Sequence, residues 1–470
     1  MYICSLNVKN LKRLHDITLD FTDSDGRPRM WTVIIGENGT GKTSILQAIA
    51  LASAGTLRVN DLASNAFAHL VDRRNKNKES LEIVARFNFT PSSIADRNCH
   101  PLYEGKPPSD LKLTSRVRLN PKETSLRANA WYGEEKDYSE NNPDPLDQAR
   151  AKESHLWFVI GYGVRRTLPQ SASVPQLTRP SVDRMKPLFD PEYPIVSTSF
   201  LVHYGSRSAK ARMYANILKR TIINTGILPE DIANLEMRGQ GGVSKAADLL
   251  DRDRFQQSMG KGTVKIPGVA LAHGYQSTIA WIADLVGNIL LEANSNLEPH
   301  EFEGLVLIDE IDLYLHPTWQ ARLIPALRKT FPKLQFVATT HSPVVLATLA
   351  PDEIIRVQSD PVSGDVHRIA PDSQTGEWEE VDDFAHVGNQ PDPRAMTGTE
   401  MYQEYFGLDR LTLNENGEEL RSYTALATNP YRTEHQQKKM EALRKKLIAA
   451  LVTDLVDPVE VETMDDSKYD

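Results

Sequence analysis

The sequence predicts an α/β fold with a mixed or parallel core sheet, and three observations lead to this prediction. First, residues 31–35, 305–308 and 334–338 are short apolar runs of the kind found in strands buried on both faces. Second, a segment with helical periodicity follows the first run and another lies between the second and third runs, and this alternation implies parallel strands joined by crossover helices. Third, a glycine-rich turn, residues 36–43, joins the first run to its helix.

The elements of the first half follow in order along the chain. Residues 2–8 and 16–21 are predicted to form two short strands, and the alternating residues 81–89 a further strand. From about residue 90 to 200 the chain is rich in proline, which excludes a long coiled-coil arm. Within that stretch, residues 156–163 predict one more strand.

The second half begins with a basic helix predicted at residues 207–222 and a glycine-bounded loop at residues 239–262. A helix predicted at residues 277–292 precedes the second buried strand, and a helix at 318–329 precedes the third. Residues 433–451 predict an amphipathic helix, whose apolar stripe comprises Met440, Leu443, Leu447 and Leu451.

These elements group into three parts. Residues 1–60 and 265–360 are expected to form a discontinuous core that carries the helical signature lobe described below. Residues 61–264 are expected to be a long insertion of strands, proline-rich loops and the basic helix. Residues 361–470 are expected to form a small α-rich C-terminal module that ends in an acidic tail.

Composition narrows the class of protein. The 470 residues are 40% hydrophobic and 25% charged, which is typical of a globular protein. The net charge of −9 argues against a protein that coats nucleic acid non-specifically, so any DNA contact is expected to be local. Cys4 and Cys99 form neither a disulfide framework nor a zinc motif. No signal peptide or membrane span is evident, and we expect a cytoplasmic protein without a membrane partner.

The strongest chemical motif is a phosphate-binding loop that follows the first buried strand and opens a helix. It fits the pattern GxxxxGK[ST] and comprises Gly36, Glu37, Asn38, Gly39, Thr40, Gly41, Lys42 and Thr43, followed by Ser44. Glycines let successive backbone N–H groups face phosphates, and the helix N-terminus adds its positive dipole end. Lys42 is expected to reach the β- and γ-phosphates of ATP, and Thr43 to bind Mg²⁺.

The second motif is the acidic pair Asp309 and Glu310, which ends the buried strand 305–308. Ligands of open α/β sheets bind at the carboxyl ends of the strands. Asp309 is therefore expected in the Mg²⁺ shell, and Glu310 is expected to polarise the attacking water. Taken alone, the same pair could simply cap the next helix.

Two weaker motifs complete the set. Residues 271–277, with Gly274 and Ser277, resemble the LSGGQ-type signature of the ABC ATPase superfamily, although Ala272 replaces the common serine. His341 lies just after the strand 334–338 and is followed by Ser342. A histidine at a strand end is often structural, so its role depends on the family.

Together with Asp312, these motifs resemble the ABC-type P-loop ATPases related to RecF, SMC and OLD proteins. The sequence is most similar to stand-alone ATPase subunits of anti-phage defence systems, with the PtuA-like subunit of Septu first and the PARIS ATPase second. The resemblance rests on residues 1–55 and 268–350. It implies an ABC-type fold in which ATP lies between the phosphate loop of one subunit and Gly274–Ser277 of another, so at least a dimer is required.

The resemblance also implies roles for single residues and for partners. His341 would contact the γ-phosphate, and Asp312 would lie in the D-loop at the dimer interface. The chain contains neither the DxD of a Toprim nuclease after the ATPase motifs nor an HNH cluster. We therefore expect an ATPase, without nuclease activity of its own, that acts as an oligomeric sensor or scaffold for a separately encoded nuclease effector. A higher oligomer of dimers is expected.

Other interpretations stay open at this point. One is a RecF-like repair ATPase that binds DNA in an ATP-dependent way, and another is an interaction protein with a degenerate ATP site. DNA or a phage trigger protein are further candidate partners. Two basic groups could contact phosphate backbones, and Arg165 and Arg166, after the strand at 156–163, are open candidates for a nucleotide contact. The basic groups comprise Arg73, Arg74, Lys76 and Lys78, and Arg207, Lys210, Arg212, Lys219 and Arg220.

Overall fold

The fold is described from a computed structural model of the chain. It describes residues 1–63, 70–71, 79–89, 112–121, 123–133, 144–151, 157–166, 181–193, 195, 209–228, 232–236, 254–259, 262–267, 271, 273–292, 299–371, 378–380, 391–408, 416–450, 452 and 455–460. The chain divides into two compact units, Met1–Gly398 and Thr399–Asp470.

A seven-stranded mixed sheet forms the centre of the first unit. Its strands, in spatial order, are β15 (Trp378–Glu380), β14 (Val366–Pro371), β13 (Ile354–Ser359), β3 (Trp31–Ile35), β12 (Leu334–Thr339), β11 (Gly304–Ile308) and β7 (Val159–Tyr162). The five strands from β13 to β7 are parallel, and β14 and β15 are antiparallel additions. The three apolar runs are β3, β11 and β12, and they are buried throughout, as predicted.

A five-stranded antiparallel sheet lies in the same unit. Its order is β2 (Leu14–Asp20), β1 (Tyr2–Leu11), β4 (Leu81–Asn88), β5 (Lys112–Leu119) and β6 (Arg127–Tyr132). Apolar residues of these strands share one core with the helix α1 (Lys42–Ala54) and with residues of the central sheet. Every residue of α1 except Thr43 is buried, so the helix that follows the phosphate loop is held firmly by both sheets.

The remaining elements of this unit are helices and one small sheet. The strands β8 (Ile232–Glu236), β9 (Arg254–Met259) and β10 (Gly262–Pro267) form an antiparallel sheet. The α-helices are α2 (Val59–Ala63), α3 (Pro145–Ala151), α4 (Ala209–Ile222), α5 (His273–Glu292), α6 (Pro317–Thr330) and α7 (Pro343–Leu346). Short 3₁₀ helices occupy Ser181–Leu188, Pro299–Glu301, Pro351–Glu353 and Pro393–Ala395.

The second unit is helical in its described part. The helices α9 (Gly417–Ala427) and α10 (Glu434–Ala449) enclose a small core of Tyr423, Ala427, Met440 and Leu447, and α8 (Gly398–Phe406) precedes them along the chain. Arg432 is buried between them and donates to several backbone carbonyls, including that of Val459.

The structure corrects two predicted elements. The helix predicted from residue 277 begins at His273, because residues 273–276 continue the same helical turn. The predicted loop 239–262 contains β9, which pairs on both sides with β8 and β10. Within residues 361–470, which are predicted to be α-rich, the structure also has β14 and β15, which extend the central sheet.

The predicted three-part division stays a prediction. The structure adds that residues 61–264 contribute β4, β5 and β6 to the antiparallel sheet and β7 to the central sheet. Within the residues described, no helix combines the length and the apolar character needed to cross a bilayer. Most of the acidic tail lies outside the described residues.

Candidate active site

The parallel strands bring the predicted motifs to one edge of the central sheet. The phosphate loop follows β3, Asp309 and Glu310 follow β11, and His341 follows β12. Since β3, β12 and β11 are parallel neighbours, their carboxyl ends lie side by side. This is the edge at which open α/β sheets bind ligands.

The phosphate loop needs its glycines for space and for backbone conformation. A Cβ atom at Gly36 would lie 2.3 Å from the carbonyl oxygen of Val357 in β13, closer than real contacts allow. Gly39 and Gly41 have φ angles of 85° and 79°, in the left-handed region that glycine adopts readily. Glu37, Asn38 and Gly39 form the exposed rim of the loop.

Lys42 folds over the loop that precedes it. Its ammonium group donates 2.8 Å hydrogen bonds to the backbone carbonyls of Gly36 and Glu37. The α1 N-cap, Gly41, provides no side-chain acceptor, so the first N–H groups of the helix, including that of Ser44, can bind an anion. Burial lowers the pKa of Lys42, and Asp309 and Glu310 oppose this effect. The loop therefore fits a polyphosphate such as that of ATP.

A chain of hydrogen bonds connects the loop to the end of β11. The hydroxyl of Thr43 donates to Asp309 Oδ2 at 2.7 Å, and the hydroxyl of Thr339 donates to Asp309 Oδ1 at 2.7 Å. Thr339 Oγ1 in turn accepts the backbone N–H of Glu310 at 2.7 Å. Because Thr339 is fully buried, this chain fixes both carboxylate oxygens of Asp309 and the start of the Glu310 turn.

Thr43 and Asp309 are suited to a magnesium ion. Both offer oxygen atoms, which are the ligands that Mg²⁺ prefers, and Mg²⁺ sites in ATPases typically use one or two protein groups plus phosphates and water. Among the described residues there is no group of three or more His, Cys, Asp or Glu side chains that could hold a metal ion alone.

Glu310 occupies a tight turn beside this chain. Its φ angle is 47°, in a region that non-glycine residues rarely adopt, and it is half-buried. Burial raises the pKa of its carboxyl, and the neighbouring Asp309 and Asp312 raise it further. A carboxylate with a raised pKa at such a position is a suitable proton acceptor or water-orienting group.

His341 follows β12, and Asp312 lies on the same turn after β11 as Glu310. Thr340, which precedes His341, donates a hydrogen bond from its hydroxyl to the carboxylate of Asp312 in the same subunit. Burial lowers the pKa of His341, and the nearby Lys42 ammonium lowers it further. The imidazole is therefore biased toward its neutral form, which can both donate and accept hydrogen bonds.

Gly274 and Ser277 lie in the first turns of α5. A Cβ atom at Gly274 would lie 2.1 Å from the carbonyl oxygen of Tyr314, so glycine is needed for this close approach. Tyr314 itself is 58% exposed and has a φ angle of 65°. Ser277 is buried, and no hydrogen bond in the described part of the chain joins either residue to the phosphate loop.

Sequence reasoning missed Arg13, which supports the loop from outside. Its guanidinium donates to the carbonyl of Gly39 at 3.1 Å and to Ser359 Oγ at 3.2 Å. The residue lies in the turn between β1 and β2, outside the loop motif in sequence, so the motif gave no signal for it.

The predicted basic groups are only partly described. Arg212, Lys219 and Arg220 lie on α4, where Arg212 and Arg220 are exposed. Arg207, the side chain of Lys210 and the group at residues 72–78 lie outside the described residues, as does Ala272.

Two sequence families match the chain. Residues 1–153 match the "AAA ATPase domain", and residues 252–347 match the "AAA domain, putative AbiEii toxin, Type IV TA system". Both phosphate-site halves lie within these matches. The predicted resemblance to P-loop ATPases is therefore confirmed, and the two matches lie in separated stretches of the chain.

Individual proteins are also similar to the chain. The Septu protein PtuA of Bacillus mycoides (strain KBAB4) is 26% identical over 357 residues, covering 75% of this chain and 40% of that protein. The retron Ec83 probable ATPase of Escherichia coli is 23% identical over 384 residues, covering 74% and 70%. The predicted resemblance to Septu PtuA is thus confirmed, and the matched region spans less than half of that relative.

Solved structures similar to this one include an SMC head bound to the C-terminal winged-helix domain of ScpA. Its TM-score is 0.46 at 18% identity, and the match covers 78% of this chain and 97% of that one.

Proposed function

We propose that this chain is an ATP-hydrolysing switch that regulates a separately encoded nuclease in anti-phage defence. The observation that carries the ATPase part is the hydrogen-bonded chain from Thr43 through Asp309 and Thr339 to Glu310. It joins the phosphate loop to the residue best placed to act on water. The similarity to Septu PtuA and to a retron ATPase supports the defence part.

Each residue of the site has a proposed task. The backbone of Gly36–Ser44 and the Lys42 ammonium bind the phosphates, while Thr43 and Asp309 would hold Mg²⁺, which neutralises phosphate charge when bound. Glu310 orients the attacking water and accepts its proton, and His341 contacts the γ-phosphate. Catalysis in such a site consists mainly of positioning and electrostatic stabilisation.

The site is proposed to be completed by a second copy of the chain. Gly274 and Ser277 open the helix α5, and Tyr314 beside them is exposed at the end of the Asp309–Asp312 turn. We propose that this surface closes over the ATP bound to another subunit and that Asp312 lies at that interface. ATP binding would join two subunits and hydrolysis would release them, giving a conformational switch.

The test of the ATPase uses three variants. Lys42→Ala should lose tight ATP binding, and Glu310→Gln should bind ATP, fail to hydrolyse it and accumulate as a closed dimer. Glu434→Gln makes the same change in a 91% exposed side chain at the start of α10, which has no part in the proposed site, and serves as the matched control, with wild-type turnover expected. Phosphate release and native mass are measured with and without ATP. Wild-type hydrolysis by Glu310→Gln would refute the catalytic assignment.

The test of the regulatory role is a tagged purification of the chain expressed with its neighbouring genes, with and without ATP. A nuclease at fixed stoichiometry supports the proposal, and the native mass gives the assembly size. Recovery of DNA alone, dependent on ATP, would instead favour a RecF-like repair ATPase. The Glu310→Gln variant is expected to change the amount of nuclease recovered.

A further inference from the structure

Arg166 is a buried cation beside the proposed active site. It follows β7 by four residues, and β7 pairs in parallel with β11, which delivers Asp309 and Glu310. The N–H of Asp309 donates to the carbonyl of Tyr162 at 2.9 Å, so the two strand ends are in register. Arg166 is 1% exposed, which is rare for arginine unless its charge is paired.

The guanidinium is only partly satisfied by the chain. Its Nη2 donates to the backbone carbonyl of Glu310. Within the described residues, Nε and Nη1 are buried and have no hydrogen-bond partner. A buried, charged donor left without an acceptor is costly, and proteins seldom retain one that no ligand or water satisfies.

Of the three carboxylates that act on Arg166 through their charge, Asp309, Asp312 and Glu310, the first two already accept other hydrogen bonds. Asp309 accepts from Thr43 and Thr339, and Asp312 accepts from Thr340. These groups act on Arg166 through their charge, partly offsetting burial, which lowers the pKa of Arg166 to about 10. The arginine therefore stays charged at neutral pH, and its two N–H groups that lack an acceptor within the described residues suit an anionic ligand.

The position of the guanidinium indicates which anion. Nη2 of Arg166 donates to the carbonyl of Glu310. The preceding residue, Asp309, has its Oδ2 atom 2.7 Å from Thr43 Oγ1. In a phosphate-binding loop this threonine lies at the β- and γ-phosphate end of the nucleotide. The planar fork of arginine holds its remaining donors in fixed directions, and phosphate oxygens are acceptors that suit this geometry.

We propose that Arg166 is a catalytic residue whose Nε and Nη1 groups bind the terminal phosphate of a nucleoside triphosphate in the same subunit. This inference rests on the proposed ATPase function. In this arrangement one guanidinium both holds the Glu310 turn and stabilises charge that develops on the transferred phosphoryl group. Arginines that act on this charge raise turnover strongly in other phosphoryl-transfer enzymes.

The test compares Arg166→Gln and Arg166→Lys with Arg165→Gln. Arg165 is the matched control because it is the neighbouring residue, its side chain is 63% exposed, and it pairs with Glu192. Turnover of ATP is measured together with the separate affinities for ATP and ADP. We expect Arg166→Gln to lower turnover about 100-fold or more, on the scale of losing one transition-state donor. It should also weaken ATP binding about tenfold while ADP binding changes less than about twofold.

Lysine keeps the charge but not the fork, so Arg166→Lys should recover ATP affinity more than turnover. Arg165→Gln should resemble the wild type. If Arg166→Gln does not fold, judged by circular dichroism, Arg166→Lys carries the same comparison of ATP with ADP. Equal weakening of ATP and ADP binding would assign Arg166 a purely structural role and overturn the proposal, as would unchanged turnover. A wild-type protein without ATP hydrolysis would overturn the proposed function itself, and this inference with it.

Discussion

Replacing Thr339 by valine tests the hydrogen-bonded chain at the centre of the site. Valine has nearly the same shape as threonine, so the change removes one hydroxyl and leaves the packing of β12 intact. Two bonds are lost: the one donated to Asp309 Oδ1 and the one accepted from the N–H of Glu310, each 2.7 Å long. Because Thr339 is fully buried, Asp309 Oδ1 and the N–H of Glu310 lose their hydrogen-bond partner in a buried part of the site.

The expected effect follows from these two bonds. A hydrogen bond to a charged group contributes about 1.5–3 kcal/mol, and a buried donor left unsatisfied costs about 1–3 kcal/mol. Because the two terms share one hydroxyl and water can partly satisfy Glu310, we expect Thr339→Val to lower the free energy of unfolding by about 3 kcal/mol.

Thr32→Val is the matched control. Thr32 lies on the adjacent strand β3, is fully buried, and its hydroxyl has no hydrogen-bond partner among the described residues. Removing that hydroxyl should leave stability unchanged or raise it by up to about 1 kcal/mol. Both variants are compared with the wild type by urea unfolding followed by circular dichroism. If the two variants unfold at the same urea concentration, the hydrogen-bonded chain does not stabilise the sheet.

Two further predictions concern other parts of the molecule. Tyr162→Phe removes a 2.9 Å hydrogen bond from the tyrosine hydroxyl to the buried carboxylate of Asp284 on α5. It should lower the free energy of unfolding by about 1–3 kcal/mol in the same urea assay. An unchanged midpoint of urea unfolding would contradict this prediction. Thr433→Ala removes the capping box that Thr433 and Gln436 form at the start of α10, and should cost about 1 kcal/mol. It should be seen as faster amide exchange than in the wild type in the first turn of α10 and not in α1. Equal exchange in the variant and the wild type would count against it.

The site motifs could be predicted because local sequence determines them. A buried strand, a glycine turn and a helix leave few conformations for residues 31–54, and the structure has this order. Parallel neighbours then bring Asp309 close to Thr43 without any need to know the intervening chain. The roles assigned to these residues stay predictions.

Other features could not be read from local pattern. β5 alternates clearly, with Leu113, Ser115, Val117 and Leu119 buried, but it follows a proline-rich stretch that favoured a loop. β9 lacks a strong apolar alternation and is stabilised by pairing with two neighbours. Hydropathy scales rank arginine as polar, so the sequence predicts that Arg166 is exposed. Only the packing of β7 beside β11 explains its burial.

The position of β3 has a consequence for synthesis of the protein. This strand, made early, is flanked in the sheet by β12 and β13, which lie roughly 300 residues later in the chain. At roughly 5–20 residues per second, a ribosome needs some tens of seconds between making β3 and making its partners. During that interval the apolar strand and the apolar face of α1 lack their final neighbours. The growing chain is therefore expected to depend on chaperones until residue 359 has left the ribosome.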